Sequence, residues 1–209
     1  MSSQKVREVL ADCAQRAEEE RLSFQDAFLH LDKSSFSILS IILCLPYLQP
    51  ISLGPLSTLG GLVVAALGWQ LAKGHSAPVL PKKLAAMSLS SKVWLQLFKV
   101  NEFVLKISNR ILKPRLPHLI AHEKGDRLTG ILICIGGLLI AVPFVAVPFN
   151  NTFPALMVLA ACFANLERDG AMVLVSLLFF VVSLCYFAFI GYAAVLVGGQ
   201  AWEWMQSFL

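Results

Sequence analysis

Three stretches of this chain contain no Asp, Glu, Lys, Arg or His: Ser34 to Ala72 (39 residues), Leu128 to Ala164 (37) and Ala171 to Gly198 (28). Each is longer than the roughly 20 residues that carry a helix across a hydrocarbon core. A chain of 209 residues that is 57% hydrophobic and only 14% charged is also far more apolar than a soluble domain, whose apolar share is about 45–50%. The sequence therefore specifies an all-α integral membrane protein.

The first tract begins only after about thirty residues that carry seven acidic side chains and end without a small-residue cleavage site, so the N-terminus is expected to be retained. Five cysteines (Cys13, Cys44, Cys134, Cys162 and Cys185) form no CxxC, and four of them lie in apolar sequence, where a free thiol acts as a small hydrophobe. His30, His75, His118 and His122 show no ligand spacing. Neither a metal nor another cofactor is expected.

The two longer tracts resemble one another. Asp32 and Lys33 align with Asp126 and Arg127, an apolar run follows in each, and then Pro46 aligns with Pro143, Pro50 with Pro148 and Pro55 with Pro154. Gly74 pairs with Gly170 at nearly the same offset. Two repeats of about 97 residues would thus account for most of the chain. Each has an amphipathic leader. Val6, Leu10, Cys13 and Ala14 alternate with Glu8, Asp12, Arg16 and Glu18 to Glu20 in the first. In the second, Lys92, Lys99, Lys106 and Lys113 recur every seven residues beside Trp94, Phe98, Leu105 and Ile111, the pattern of an interfacial helix whose lysines meet lipid headgroups.

Proline inside a helix removes a hydrogen bond and clashes with the preceding turn, so the tracts must break near Pro46, Pro50, Gly54 and Pro55, and again near Pro143, Pro148 and Pro154. A broken backbone is tolerated at membrane depth only where protein or a water-filled cavity surrounds it. The arms before the breaks give roughly 18–22 Å of helix, short of a core of about 30 Å. Two re-entrant hairpins whose tips meet near the midplane fit these lengths, followed by a transmembrane helix over 170–198; two offset broken crossings are the alternative. The expected organisation is a single membrane domain: an amphipathic segment 1–33, a broken tract 34–72, a basic linker 73–127, a second broken tract 128–166 and the last helix.

Lys73 to Arg127 holds eleven Lys or Arg against three acids, which places the linker and the N-terminus in the cytoplasm and suits anionic headgroups. Nucleic-acid binding does not fit basic residues strung along an aromatic-bearing helix in a membrane protein. A homodimer is left open.

The phrases LSFQDAFLHLD, LCLPYLQPISLGPLSTLGG, ILKPRLPHL and VPFNNTFPALMVLAACFANLERDG resemble the ExoD family of bacterial membrane proteins, named for exopolysaccharide synthesis. The most specific pieces are Asn151, Pro154 and Ala155, then Glu167, Arg168, Asp169 and Gly170, with Gly54, Pro55, Ser57 and Thr58 fitting the first repeat. Ser34 and Ser35 stand where the family often has glycine, and Gln49 interrupts the proline-rich phrase. The resemblance implies a bacterial inner-membrane location and a link to exopolysaccharide; it supplies no molecular activity.

Helix N-termini at the two breaks would direct positive dipole ends and free N–H groups at an anionic group. The candidate binding residues are Ser57 and Thr58 at one end and Asn150, Asn151 and Thr152 at the other, with simple helix capping by Asn150, Asn151 and Thr152 as the plainer reading. Asp126, Arg127, Glu167, Arg168 and Asp169 are expected to form structural ion pairs or a gate. Catalysis is not expected, since no triad order, metal cluster or phosphate loop occurs. A small transporter or flippase for an anion, an ion or a lipid-linked phosphate is the leading expectation; a scaffold for polysaccharide machinery is the alternative.

Overall fold

Proline sets the helix boundaries in the two longer tracts. The computed structural model describes residues 33–49, 54–79, 116–120, 122–143 and 147–206. The amphipathic segment before Lys33, Pro50 and the linker helix bearing Lys92, Lys99, Lys106 and Lys113 lie outside the described residues. Helix α1 is Ser34–Cys44, continued by a 3-10 turn over Leu45–Leu48; α2 is Pro55–Ala72; α3 is His122–Ala141, preceded by a 3-10 turn at Pro117–Leu119; α4 is Thr152–Glu167; and α5 is Gly170–Gln206. All regular structure among the described residues is helical.

The prolines differ in what they do. Pro46 occupies the first turn of the 3-10 segment, where its missing N–H is not needed, so the first tract stays helical through Leu48. Pro55 opens α2 behind Gly54, whose φ of 56° suits a residue without a Cβ. Pro154 sits in the first turn of α4, again where its missing N–H would have had no intrahelical acceptor. Helix α3 takes in Glu123 to Arg127 as its opening turns, and α5 continues past Gly198 to Gln206.

Helices α2 and α3 are fastened together by glycine. A Cβ built on Gly61 would stand 2.6 Å from the backbone nitrogen of Ala141 and the carbonyl oxygen of Gly137. One on Gly130 would stand 2.5 Å from the nitrogen of Ala72, one on Gly68 would meet the backbone of Cys134 and Gly130, and one on Gly137 that of Ala65 and Gly61. Seven residues separate Gly61 from Gly68 and Gly130 from Gly137, so each pair lies on one stripe of its helix, and the helices run antiparallel. Backbones this close replace side-chain interdigitation by direct dispersion contact, the mode in which small residues join helices where burial from water is not the driving force. The register has a consequence for the breaks. Six residues before Gly61 is Pro55 and six after Gly137 is Pro143, so the two proline breaks lie at one level of the bundle.

The core lies among α1 to α4. Phe36, Ile41 and Cys44 of α1 meet Val64, Leu67 and Leu71 of α2, Ile133 and Ile140 of α3, and Met157, Val158, Ala161 and Cys162 of α4. Buried Ala155, Ala160, Ala161 and Ala164 let α4 approach its neighbours closely. Helix α5 packs outside α4, tied by the Ser176 hydroxyl donating to the Met157 carbonyl at 2.9 Å.

The outer faces are apolar. Leu56, Leu59, Leu62, Val63 and Trp69 are exposed along α2, and Leu174, Leu177, Leu178, Val181 and Leu184 along α5. Rows of exposed large side chains on this scale mark a surface for contact with a membrane or with another protein. Two helical stretches, Pro55–Ala72 and Gly170–Leu196, are long and apolar enough to cross a membrane, the second with a mean hydropathy of 2.7; Ser34–Leu48 and Thr152–Glu167 are shorter apolar helices.

Candidate functional site

The two breaks touch. The Thr152 hydroxyl donates to the carbonyl of Gln49 at 3.2 Å, joining the start of α4 to the end of the first helical arm. Around this contact the chain is held by aromatic side chains. Tyr47 donates its hydroxyl to the Leu56 carbonyl at 3.2 Å and lies against Gly60, where a Cβ would collide with the phenol oxygen. Tyr186 of α5 donates to the carbonyl of Pro148 through a short contact, and its ring meets Phe153 edge-on at 5.2 Å between centroids. Phe149 stacks with Phe153 at 6.3 Å while its own backbone adopts a left-handed φ of 61°. That conformation costs a non-glycine residue about 1–3 kcal/mol and persists only where the surroundings enforce it.

Asn150 and Asn151 are each 2% exposed. Asn151 is the N-cap residue of α4, yet its side chain makes no capping hydrogen bond, and neither its amide nitrogen nor its amide oxygen has a partner. The plain capping reading of Asn151 and Thr152 therefore fails: the threonine hydroxyl is used on Gln49 and the asparagine amide is unspent. A buried amide without a hydrogen bond costs about 1–3 kcal/mol, so a polar group presented to this position would be bound with the desolvation of Asn151 already complete.

At the start of α2, Ser57 is buried and donates to the Gly54 carbonyl at 2.6 Å, while Thr58 is half-buried. No hydrogen bond joins Ser57 or Thr58 to Asn151 or Thr152 among the described residues. The junction runs instead through the backbone carbonyl of Gln49, with Tyr47 nearby donating to the Leu56 carbonyl of its own tract. A backbone acceptor carries no side-chain signal, so nothing in the phrase LPYLQ marks Gln49 as the partner of Thr152.

A second polar cluster closes the opposite end of the bundle. Asp126, 4% exposed, pairs with Lys33 Nζ at 2.9 Å through one oxygen and with Arg168 at 2.7 Å through the other. The start of α1, the first turns of α3 and the α4–α5 turn are thereby fastened to one carboxylate. Arg168 adopts a left-handed φ of 53° at the end of α4, and its neighbour Asp169 accepts the Ala171 N–H at 2.9 Å, capping α5. Of the charged residues expected to pair, Asp126 and Arg168 do so with each other; Arg127 is exposed and forms no ion pair among the described residues. Lys33 was visible only as the repeat partner of Arg127. Just inside this cluster the Asn165 amide donates to the Ser37 hydroxyl at 2.9 Å in a fully buried contact between α4 and α1.

Comparison with known proteins agrees with the phrases that resemble ExoD. The protein named ExoD of Rhizobium meliloti (strain 1021) is 27% identical over 177 residues, covering 85% of this chain and 73% of that protein. An uncharacterized protein of Synechocystis sp. is 28% identical over 135 residues, covering 65% of this chain and 62% of that one. No solved structure matches the chain. The family described as "Exopolysaccharide synthesis, ExoD" matches residues 6–189, which takes in both broken tracts, the Asp126–Arg168 pair and Tyr186, and the chain belongs to the ExoD family.

Proposed function

We propose that this chain is a small inner-membrane transporter or flippase serving exopolysaccharide synthesis, with its binding site at the junction of the two helix breaks. The observation that carries the reading is Asn151: a buried amide, unpartnered at both atoms, at the N-terminus of a 16-residue helix where two breaks meet. The helix terminus adds a positive dipole end to the amide donor, which favours an anionic substrate such as a carboxylate or a phosphate, free or lipid-linked.

In this reading α1 with α2 forms the hairpin of the first repeat and α3 with α4 that of the second, and the charged cluster lies at the cytoplasmic surface. Helix α4 spans about 24 Å at 1.5 Å per residue, and the 16 residue steps of α5 from Gly170 to Tyr186 span the same distance. Against a hydrocarbon core of about 30 Å, breaks at that depth fall beyond the midplane, toward the far side. The site would therefore be reached from the far leaflet, with the Ser37–Asn165 contact and the charged cluster closing the cytoplasmic end.

The test is Asn151→Leu, in a bacterial host that lacks its own copy of the gene. The variant should accumulate in the membrane with the helical content and melting temperature of the parent, and should fail to restore exopolysaccharide. Restoration at the parental level would reject a site at Asn151 and leave the scaffold reading.

A further inference from the structure

At the charged end of the bundle a cleft of about 340 Å³ opens between the last turn of α2 and the first turns of α3, lined by Lys33, Leu71, Lys73, Glu123, Asp126 and Arg127 together with Ala72 and Gly74. We propose that this cleft binds the phosphate of an anionic phospholipid headgroup. It is separate from the break junction, lying about 24 Å away along α4.

Charge accounts for the choice of ligand. Asp126 is already held between Lys33 and Arg168, so its carboxylate is matched before anything enters. Lys73 and Arg127 remain as the exposed cations of the lining, against the single exposed acid Glu123. A guanidinium with an ammonium beside it is a fork and a point charge suited to phosphate oxygens.

Position accounts for the lipid. Along α2 the exposed side chains run Leu56, Leu59, Leu62 and Val63, all apolar, and then end in Trp69. Lys73 stands over that indole at 5.0 Å from the ring centroid. A tryptophan at the end of an apolar row, under a lysine ammonium, marks the level at which acyl chains give way to headgroups. The cleft begins at the next turn of the same helix. Ala72, half-buried beside the cations, would lie along the glycerol end of the lipid while the cations meet the phosphate.

The experiment uses the full chain purified in a neutral detergent, with phosphatidylglycerol, phosphatidylcholine or inorganic phosphate added, and reads retained lipid by native mass spectrometry and the shift in melting temperature. Phosphatidylglycerol should be retained and raise the melting temperature, and phosphatidylcholine should do neither to the same degree. Lys73→Gln and Arg127→Gln should each weaken phosphatidylglycerol retention by roughly fivefold, the value of one cation near an anionic surface, and Glu123→Gln should strengthen it. The two lipids binding equally, or the variants behaving as the parent, would overturn the proposal. Inorganic phosphate stabilising as strongly as phosphatidylglycerol would overturn the lipid assignment in favour of a free phosphate. Because none of these residues touches the break junction, Asn151→Leu should leave lipid retention unchanged.

Discussion

Thr152 and Gln49 lie 103 residues apart in the chain, and the hydroxyl of one donates to the carbonyl of the other at 3.2 Å. Each stands beside a proline break, so this hydrogen bond ties the two breaks to one another. Thr152→Val keeps the shape of the side chain and removes the donor. A single interhelical hydrogen bond in an apolar setting is worth about 0.6 kcal/mol, so the variant should melt slightly lower than the parent. The junction should also loosen locally, read as faster hydrogen exchange at the start of α4 than in its middle. Equal exchange in parent and variant would show that the aromatic contacts of Phe153 and Tyr186 hold the junction alone.

The glycines make opposite predictions at different places. Gly61→Ala puts a methyl against the backbone of α3, which can yield only by the helices moving apart, at a cost of about 1–3 kcal/mol. Gly191 lies in α5 with nothing within 4 Å of a built Cβ, so Gly191→Ala should instead stabilise by up to about 1 kcal/mol through helix propensity. Unfolding in denaturing detergent measures both. Equal effects at the two positions would mean that α2 and α3 are not in backbone contact.

These two cases also show what could be read in the sequence. The interruption of both apolar tracts was legible because proline acts through its own ring and missing N–H, whatever surrounds it. So was the start of α2 at Pro55, and the importance of Asp126 and Arg168 as charges beside apolar sequence. The pairing of α2 with α3 was not, although Gly61, Gly68, Gly130 and Gly137 carry the spacing of seven on both helices. Glycine spacing shows that a helix has a bare stripe and not which helix lies on it. Lys33 was missed as the partner of Asp126 for a related reason. Its place is fixed by the packing of α1 on α4, 93 residues from the acid it meets. The length of α5 was underestimated because its uncharged run reaches Gly198 and Gly199, poor helix formers that the helix nonetheless carries through to Gln206.

Asp126 holds three elements through two oxygens, so its removal should cost more than the loss of either cation. Asp126→Asn leaves Lys33 and Arg168 side by side without a counter-charge. Both cations are about a third exposed, and solvent can screen them, so we expect about 1–3 kcal/mol for Asp126→Asn and less than about 1 kcal/mol for Lys33→Gln. Arg168→Gly separates two effects at one position. It relieves the left-handed backbone at the end of α4 while losing the ion pair, so it should destabilise less than Arg168→Ala, which loses the pair and keeps the strain. Thermal melts of the four variants check the order, and Arg168→Ala melting above Arg168→Gly would contradict it.

The depth of the breaks can be measured by thiol labelling. Cys44 and Cys162 are fully buried and can stay, so a background lacking only Cys13, Cys134 and Cys185 should be silent to an impermeant maleimide. Into this background His75→Cys and Gln49→Cys are introduced singly, both at exposed positions at opposite ends of the bundle. If the charged end faces the cytoplasm and the hairpins reach about 24 Å, past the midplane of a core about 30 Å thick, the first should label only in inside-out vesicles. The second should label only in right-side-out vesicles, through the water that reaches the break junction. Labelling of both from the cytoplasmic face would overturn the proposed depth and make the junction a cytoplasmic vestibule. Protection of Gln49→Cys from both faces would bury the junction in dry protein, and the Asn151 amide would then have no aqueous route by which a substrate arrives.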